Sequence, residues 1–216
     1  MLVFDGTHNL LLKETELFPS EHAMPILGRR DHIVEVAIEL FCKHGFHATG
    51  VDRIMREAKV SKKTLYNHFR SKDELILAAL QQHDSVFRNN FVKDVEQLAS
   101  TPEGQLIAVF DAAEKWFSEQ NFFGCMFVNV VGEYSDPTSP MRDVSRNFKQ
   151  MILRYIVSLC VKANAKDPEK LANELALLFE GAIVTSQISG SAVSASTAKN
   201  IAKQLLATGL PEKAHK

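Results

Sequence analysis

Between Ser61 and Lys72 the chain reads Ser-Lys-Lys-Thr-Leu-Tyr-Asn-His-Phe-Arg-Ser-Lys. On a helix from Lys62 to about Phe69, Leu65 and Phe69 share one face, so the opposite face centres on Lys63 and Asn67, flanked by Thr64 and Tyr66. Those side chains suit nucleic acid. Lysine reaches phosphates or guanine acceptors, asparagine can pair bidentately with adenine, and threonine and tyrosine meet thymine methyls or phosphates. An ordinary solvated face would have the same composition. Two features favour the nucleic-acid reading: the helix is only about two turns long, and the helix and turn before it match helix-turn-helix packing.

Other chemistries fare worse. Cys42-x-His44-x-x-His47 gathers metal-ligand types, but Gly45 ends the helix, so the three do not share a face and no metal site is expected. Acidic residues elsewhere are scattered over helix surfaces, and no Ser/His/Asp arrangement carries a recognisable motif, so an enzyme is not expected and no cofactor is implied.

The elements that must hold that short helix can be read from period and punctuation. Ile33, Ala37, Leu40 and Phe41 make one apolar stripe on a helix from about Arg29 to His44, closed by Gly45. Thr49 is the expected N-cap of a second helix burying Val51, Ile54 and Ala58, with Asp52 in the reciprocal position. Lys59-Val60 forms the turn and Ser61 caps the third helix. Ser71-Lys-Asp-Glu74 is a capping box that opens a long fourth helix to about Ala99. Thr101-Pro102, Ser139-Pro140 and Asp167-Pro168 predict helices over about 102–120, 140–163 and 168–189. A helix is expected around Gly124–Tyr134, where Phe127-Val-Asn-Val-Val131 is the one place a strand competes, and a last helix over about 194–208. The fold class is therefore all-α, with about nine helices and no internal repeat.

With 216 residues, 45% of them hydrophobic, the chain can build a real core. No apolar run is long enough to span a bilayer, and three widely spaced cysteines argue against a disulfide framework, so no membrane association and a reducing cytoplasm are expected. The net charge of −1 conceals an asymmetry: residues 24–72 hold ten Lys and Arg against five Asp and Glu, whereas the segments on either side are net acidic. Such a local basic block is the footprint of a nucleic-acid site. Residues 1–23 show no clear period and are expected to form a disordered arm, with Met24 a candidate start.

Gly45-Phe-His-Ala-Thr49, Val51-x-x-Ile54 and Val60-Ser-Lys-Lys-Thr-Leu-Tyr-Asn-His-Phe-Arg-Ser-Lys-Asp-Glu-Leu75 together resemble the TetR family of bacterial transcriptional regulators. The resemblance implies a helix-turn-helix DNA-binding domain over 24–71 and a helical ligand-binding and dimerisation domain over 72–216. Carried onto this sequence, the family's DNA contacts fall on Thr49, Lys62, Lys63, Thr64, Tyr66, His68 and Lys72, beside Asn67 from the helix phasing. Lys59 departs from the pattern, standing where the turn often has glycine. Asn121-Phe-Phe-Gly-Cys-Met-Phe-Val-Asn129 resembles the Gly-Cys-x-x-x-Asn stretch of a subgroup of these C-terminal domains but names no ligand.

The implied function is sequence-specific transcriptional regulation: a repressor of palindromic operator DNA, released by an unknown small-molecule effector. The alternative is an architectural or partner-recruiting DNA-binding protein with no inducer. Aromatic and buried polar residues able to line an effector pocket are Trp116, Phe123, Cys125, Phe127, Asn129, Tyr155, Glu180 and Gln187. Cys125 is also a candidate redox or electrophile sensor. A homodimer is expected through the helices at about 168–189 and 194–208, where Gly181 and Ala182 permit close approach and Ile201, Leu205 and Leu206 supply apolar surface.

Overall fold

The structure, a computed structural model, describes residues 28–212; the arm expected over 1–23 lies outside them. Among the described residues there are nine α-helices: α1 (Arg29–His44), α2 (Val51–Glu57), α3 (Lys62–His68), α4 (Lys72–Leu98), α5 (Pro102–Phe117), α6 (Met126–Glu133), α7 (Pro140–Lys162), α8 (Pro168–Ser189) and α9 (Val193–Gly209). The ambiguous β-branched run lies on α6. Its inward positions, Met126, Phe127 and Val130, recur at helical spacing, and that burial outweighs strand propensity.

Most punctuation acts as its residues suggest. Ser61, Ser71, Thr101 and Asp167 each accept a backbone N–H from the first turn of the helix they open. Ser139 does not; its hydroxyl is buried against the Met141 sulfur. Thr49 is a second correction. Gly50 is the N-cap residue of α2, and the fully buried Thr49 hydroxyl donates back to the carbonyls of Gly45 (2.7 Å) and Leu40 (3.3 Å), tying the loop to α1. The capping box at α4 closes one residue early, since Glu74 accepts from the Arg70 N–H.

α1, α2 and α3 close over Ile33, Ala37, Phe41, Ile54, Leu65 and Phe69, all buried, and Phe46 stacks on Phe41 at 5.0 Å. Burying a side chain of this size contributes about 1.5–3 kcal/mol, which is what holds so short a helix as α3 in place. α4 is the shared element: it packs on α1 near its start and on α5 and α7 further along, and one continuous core runs through the described chain. α8 lies between α7 and α9, and α9 also rests on α5.

Candidate nucleic-acid interface and the cleft behind it

Leu65 and Phe69 point inward, and Lys62, Lys63, Tyr66 and Asn67 stand exposed on the other side of α3, with Tyr66 43% accessible. Thr64 is half-buried, its hydroxyl 2.9 Å from that of the capping Ser61, and His68 is half-buried beside Phe69. Thr49, carried over as a contact, has no exposed side chain and acts from inside the loop.

Lys59 holds φ at 53°, so the turn keeps the left-handed geometry for which glycine is the usual choice and leaves a lysine exposed. At the other end, the Lys72 ammonium lies 3.4 Å from the His47 carbonyl; partial burial lowers its pKa, while Glu133 and Asp73 pull the other way.

The carboxylate below Lys72 was not singled out by sequence. Glu133, the last residue of α6, accepts the backbone N–H groups of Phe46 (2.7 Å) and His47 (2.5 Å), and the His47 ring lies 3.2 Å away. It fits because Gly45, at φ +84°, has no side chain: a Cβ there would come within 2.8 Å of the carboxylate. Next to it, Tyr134 stacks on His47 at 4.9 Å and donates to Asp73 at 3.3 Å, and burial first, then Asp73, pushes its phenol up to about 12. The loop between α1 and α2 is thus latched to the end of α6. Only the glycine hinted at this, since nothing local marks a carboxylate that acts 86 residues away.

At its other end α6 faces an aromatic chamber. Phe127 stacks on Phe148 at 3.9 Å, Phe87 meets Phe148 and Trp116 edge-on, and Cys125 and Phe127 are buried in the wall. Lys149 enters from α7, paired with Glu180 (2.6 Å) and 3.5 Å from the Cys125 sulfur. Hardly any free volume remains, about 10 Å³.

His83, Phe87 and Trp116 also belong to the wall of a larger cleft of about 640 Å³, which opens between α1, α4, α5 and the loop before α6. Trp116 and Phe123 line this cleft. His83, half-buried, is the functional-looking group the sequence did not flag; desolvation lowers its pKa, with a smaller opposing pull from Asp84.

Four expected pocket residues line neither the cleft nor the chamber, among them Glu180, whose carboxylate is taken up by Lys149. Tyr155 lines a separate groove between α4 and α7, where burial pushes its phenol up to about 12 and its hydroxyl has no hydrogen-bond partner among the described residues. Asn129 and Gln187 bond each other (2.9 Å), and Asn129 also holds the Phe123 carbonyl, so both are spent on fixing the loop. Gln187 passes under Gly124, where any Cβ would overlap it. Among the described residues no cluster of three His, Cys, Asp or Glu could hold a metal ion, and no helix is long and apolar enough to cross a membrane.

Residues 33–79 match the family of bacterial regulatory proteins, tetR family. The chain is 40% identical over 94 residues to the HTH-type transcriptional activator FasR of Mycolicibacterium smegmatis, a match spanning 44% of this chain and 41% of that protein. It is 27% identical over 172 residues to the HTH-type transcriptional repressor DhaR of Mycobacterium sp. (strain GP1), covering 74% of this chain and 82% of DhaR. A solved structure of a TetR-family transcriptional regulator from Streptomyces coelicolor superposes with a TM-score of 0.77 at 29% identity, over 84% of this chain and 95% of that one.

Proposed function

We propose that this chain, a member of the TetR family of bacterial transcriptional regulators, is a dimeric repressor that binds palindromic operator DNA and leaves it when a small molecule binds the C-terminal helices. The observation that carries the DNA-binding half is α3 itself: a short helix anchored by Leu65 and Phe69 that offers Lys63, Tyr66 and Asn67 outward together. Lys62, Lys59 and Lys72 stand around it as phosphate ligands, which position the helix, while Asn67 and Tyr66 read base edges. His68 and Thr64, less accessible, support the helix and reach the backbone. Thr49 positions the loop.

The ligand-response half is supported by the cleft and the latch. α6 has one end in the chamber wall and the other on the α1–α2 loop, so a ligand that displaces α6, or tilts α4, changes the setting of α3. The effect requires a difference in ligand affinity between the two arrangements. The near-filled inner chamber favours the alternative of a DNA-binding protein without an inducer; the open cleft favours the inducible reading. The domain division is 24–71 for DNA and 72–216 for ligand and dimer.

Mapping the genomic sites that the protein occupies tests the reading first. Recovery of a palindrome that the purified protein binds in a strongly salt-dependent manner is the expected result. Tyr66→Ala and Lys63→Ala should each weaken that binding with the fold intact, and Lys63→Ala should reduce the salt slope by about 1. Wild-type affinity in both variants would overturn the docking.

A further inference from the structure

The cleft of about 640 Å³ has the size of a site for a drug-sized molecule. Its position is unusual for a pocket assigned to the C-terminal helices, because one wall is α1, through Ile38, Glu39, Cys42 and Lys43. A ligand here would touch the DNA-binding unit directly. The chemistry of the remaining walls narrows what could bind.

The inner wall is aromatic: Phe87 and Trp116 meet edge to face at 4.9 Å, Phe91 lies 5.6 Å from Phe87, and Phe123 is at the mouth. Three acidic residues line the rim, Glu39, Asp94 and Glu119, against one basic residue, Lys43. Asp94 is paired with Lys115 at 3.1 Å, but among the described residues no basic group lies within ion-pair distance of Glu39 or Glu119. Aromatic faces attract cations through their quadrupole, and unpaired carboxylates at the mouth add to that attraction. Nothing inside opposes it. Burial lowers the pKa of His83, burial and the nearby Cys125 push the Cys42 thiol up to about 11, and Lys149 is already paired with Glu180 in the nearly filled chamber behind. The nitrogens of His83 and Trp116 make no hydrogen bond with the described residues, leaving two polar handles for the occupant.

We propose that this cleft binds a lipophilic organic cation, held between the aromatic wall of α4 and α5 and the acidic rim that α1 shares with the loop before α6. The bound cation spans both halves of the protein, so it acts as a wedge between α1 and α4. This deepens the inducible reading above and rests on it for its regulatory consequence, though binding itself does not depend on it.

Trp116 is the single tryptophan, so its emission reports occupancy of the cleft directly. Tetraphenylphosphonium and tetraphenylborate have the same shape and opposite charge. The full chain should show saturable quenching by the phosphonium, at least about ten-fold tighter than by the borate. In the double variant Glu39→Gln, Glu119→Gln, that preference should fall by about ten-fold while the circular dichroism spectrum is unchanged. No saturation by the phosphonium, equal or tighter binding of the borate, or an unaltered preference in the double variant would each overturn the proposal. Operator affinity with the phosphonium bound separates the two ideas. A fall supports both, whereas unchanged affinity with saturable, charge-selective binding overturns the inducible reading and supports the site.

Discussion

Lys59, with φ at 53° between α2 and α3, shows how a single residue can trade stability for charge at a binding surface. A side chain in the left-handed region costs about 1–2 kcal/mol, against about 0.5–1 kcal/mol of extra chain entropy lost when glycine is fixed there. Lys59→Gly should therefore stabilise the fold by about 0.5–1 kcal/mol while weakening operator binding through the lost charge. Denaturant unfolding and binding titration measure the two, and a lower midpoint would show that the lysine is not strained. His83 makes a second prediction. Its pKa is lowered in the folded state, so the unfolded chain binds its proton more readily. Stability is full above the unfolded-state value near 6.5 and falls as pH drops below it, down to the folded-state pKa. His83→Phe should flatten that part of the stability–pH curve; an identical slope in the variant would assign it to another group. Residue types and spacing placed Lys63, Tyr66 and Asn67 outward on α3, because exposure follows from helix phase once Leu65 and Phe69 must be buried, whereas Thr64 is half-buried. They failed for Thr49, Asn129 and Gln187, whose polar atoms are taken by partners 4 to 58 residues away that no local pattern announces.

The latch at Glu133 belongs to α6 as a whole. A negative side chain at a helix C-terminus is opposed by the helix dipole by about 0.3–1 kcal/mol, and its two charge-assisted hydrogen bonds to the α1–α2 loop offset that cost. Glu133→Ala should lower stability by about 1–3 kcal/mol, since two N–H groups lose their acceptor. It should also weaken the response of operator affinity to ligand more than it weakens ligand binding, because the α6 route is cut and the cleft is untouched. Titrating operator with and without ligand measures the coupling, and full coupling in the variant would leave α4 as the sole route. Helices were the most legible level, since caps such as Ser61, Thr101 and Asp167 act locally and set their own boundaries. What α6 does is non-local: Gly45 makes room for a carboxylate reached only after α4 and α5 have folded the chain back.

For the whole molecule, an uncovered apolar face on α8 and α9 bears on the assembly. Leu177, Gly181, Val184 and Ile188 lie at i, i+4, i+7 and i+11 along α8; Leu177 is 75% and Ile188 82% exposed, and a Cβ on Gly181 would meet nothing. Val193 (67%) and Ile201 (41%) continue the patch on α9, while Leu206, expected to share it, is 5% exposed and belongs to the subunit's own core. A patch of this kind across two adjacent helices suits a two-fold, four-helix contact with a second copy. Leu177→Glu with Ile188→Glu should leave the fold nearly unchanged, because neither side chain contributes much to the monomer's core. It should convert the dimer to monomer, since four carboxylates would then have to be buried at one seam. Each monomer would keep its α3 and recognise one half-site, but the second half-site would no longer be held at high effective concentration. Affinity for the palindrome should then drop by about 100-fold or more, towards that for an isolated half-site. Sedimentation velocity and operator titration of the same preparation read the two effects together. A dimer that survives the double substitution would move the interface off α8 and α9, and a monomer that binds the palindrome as tightly as wild type would break the link between two-fold symmetry and operator recognition.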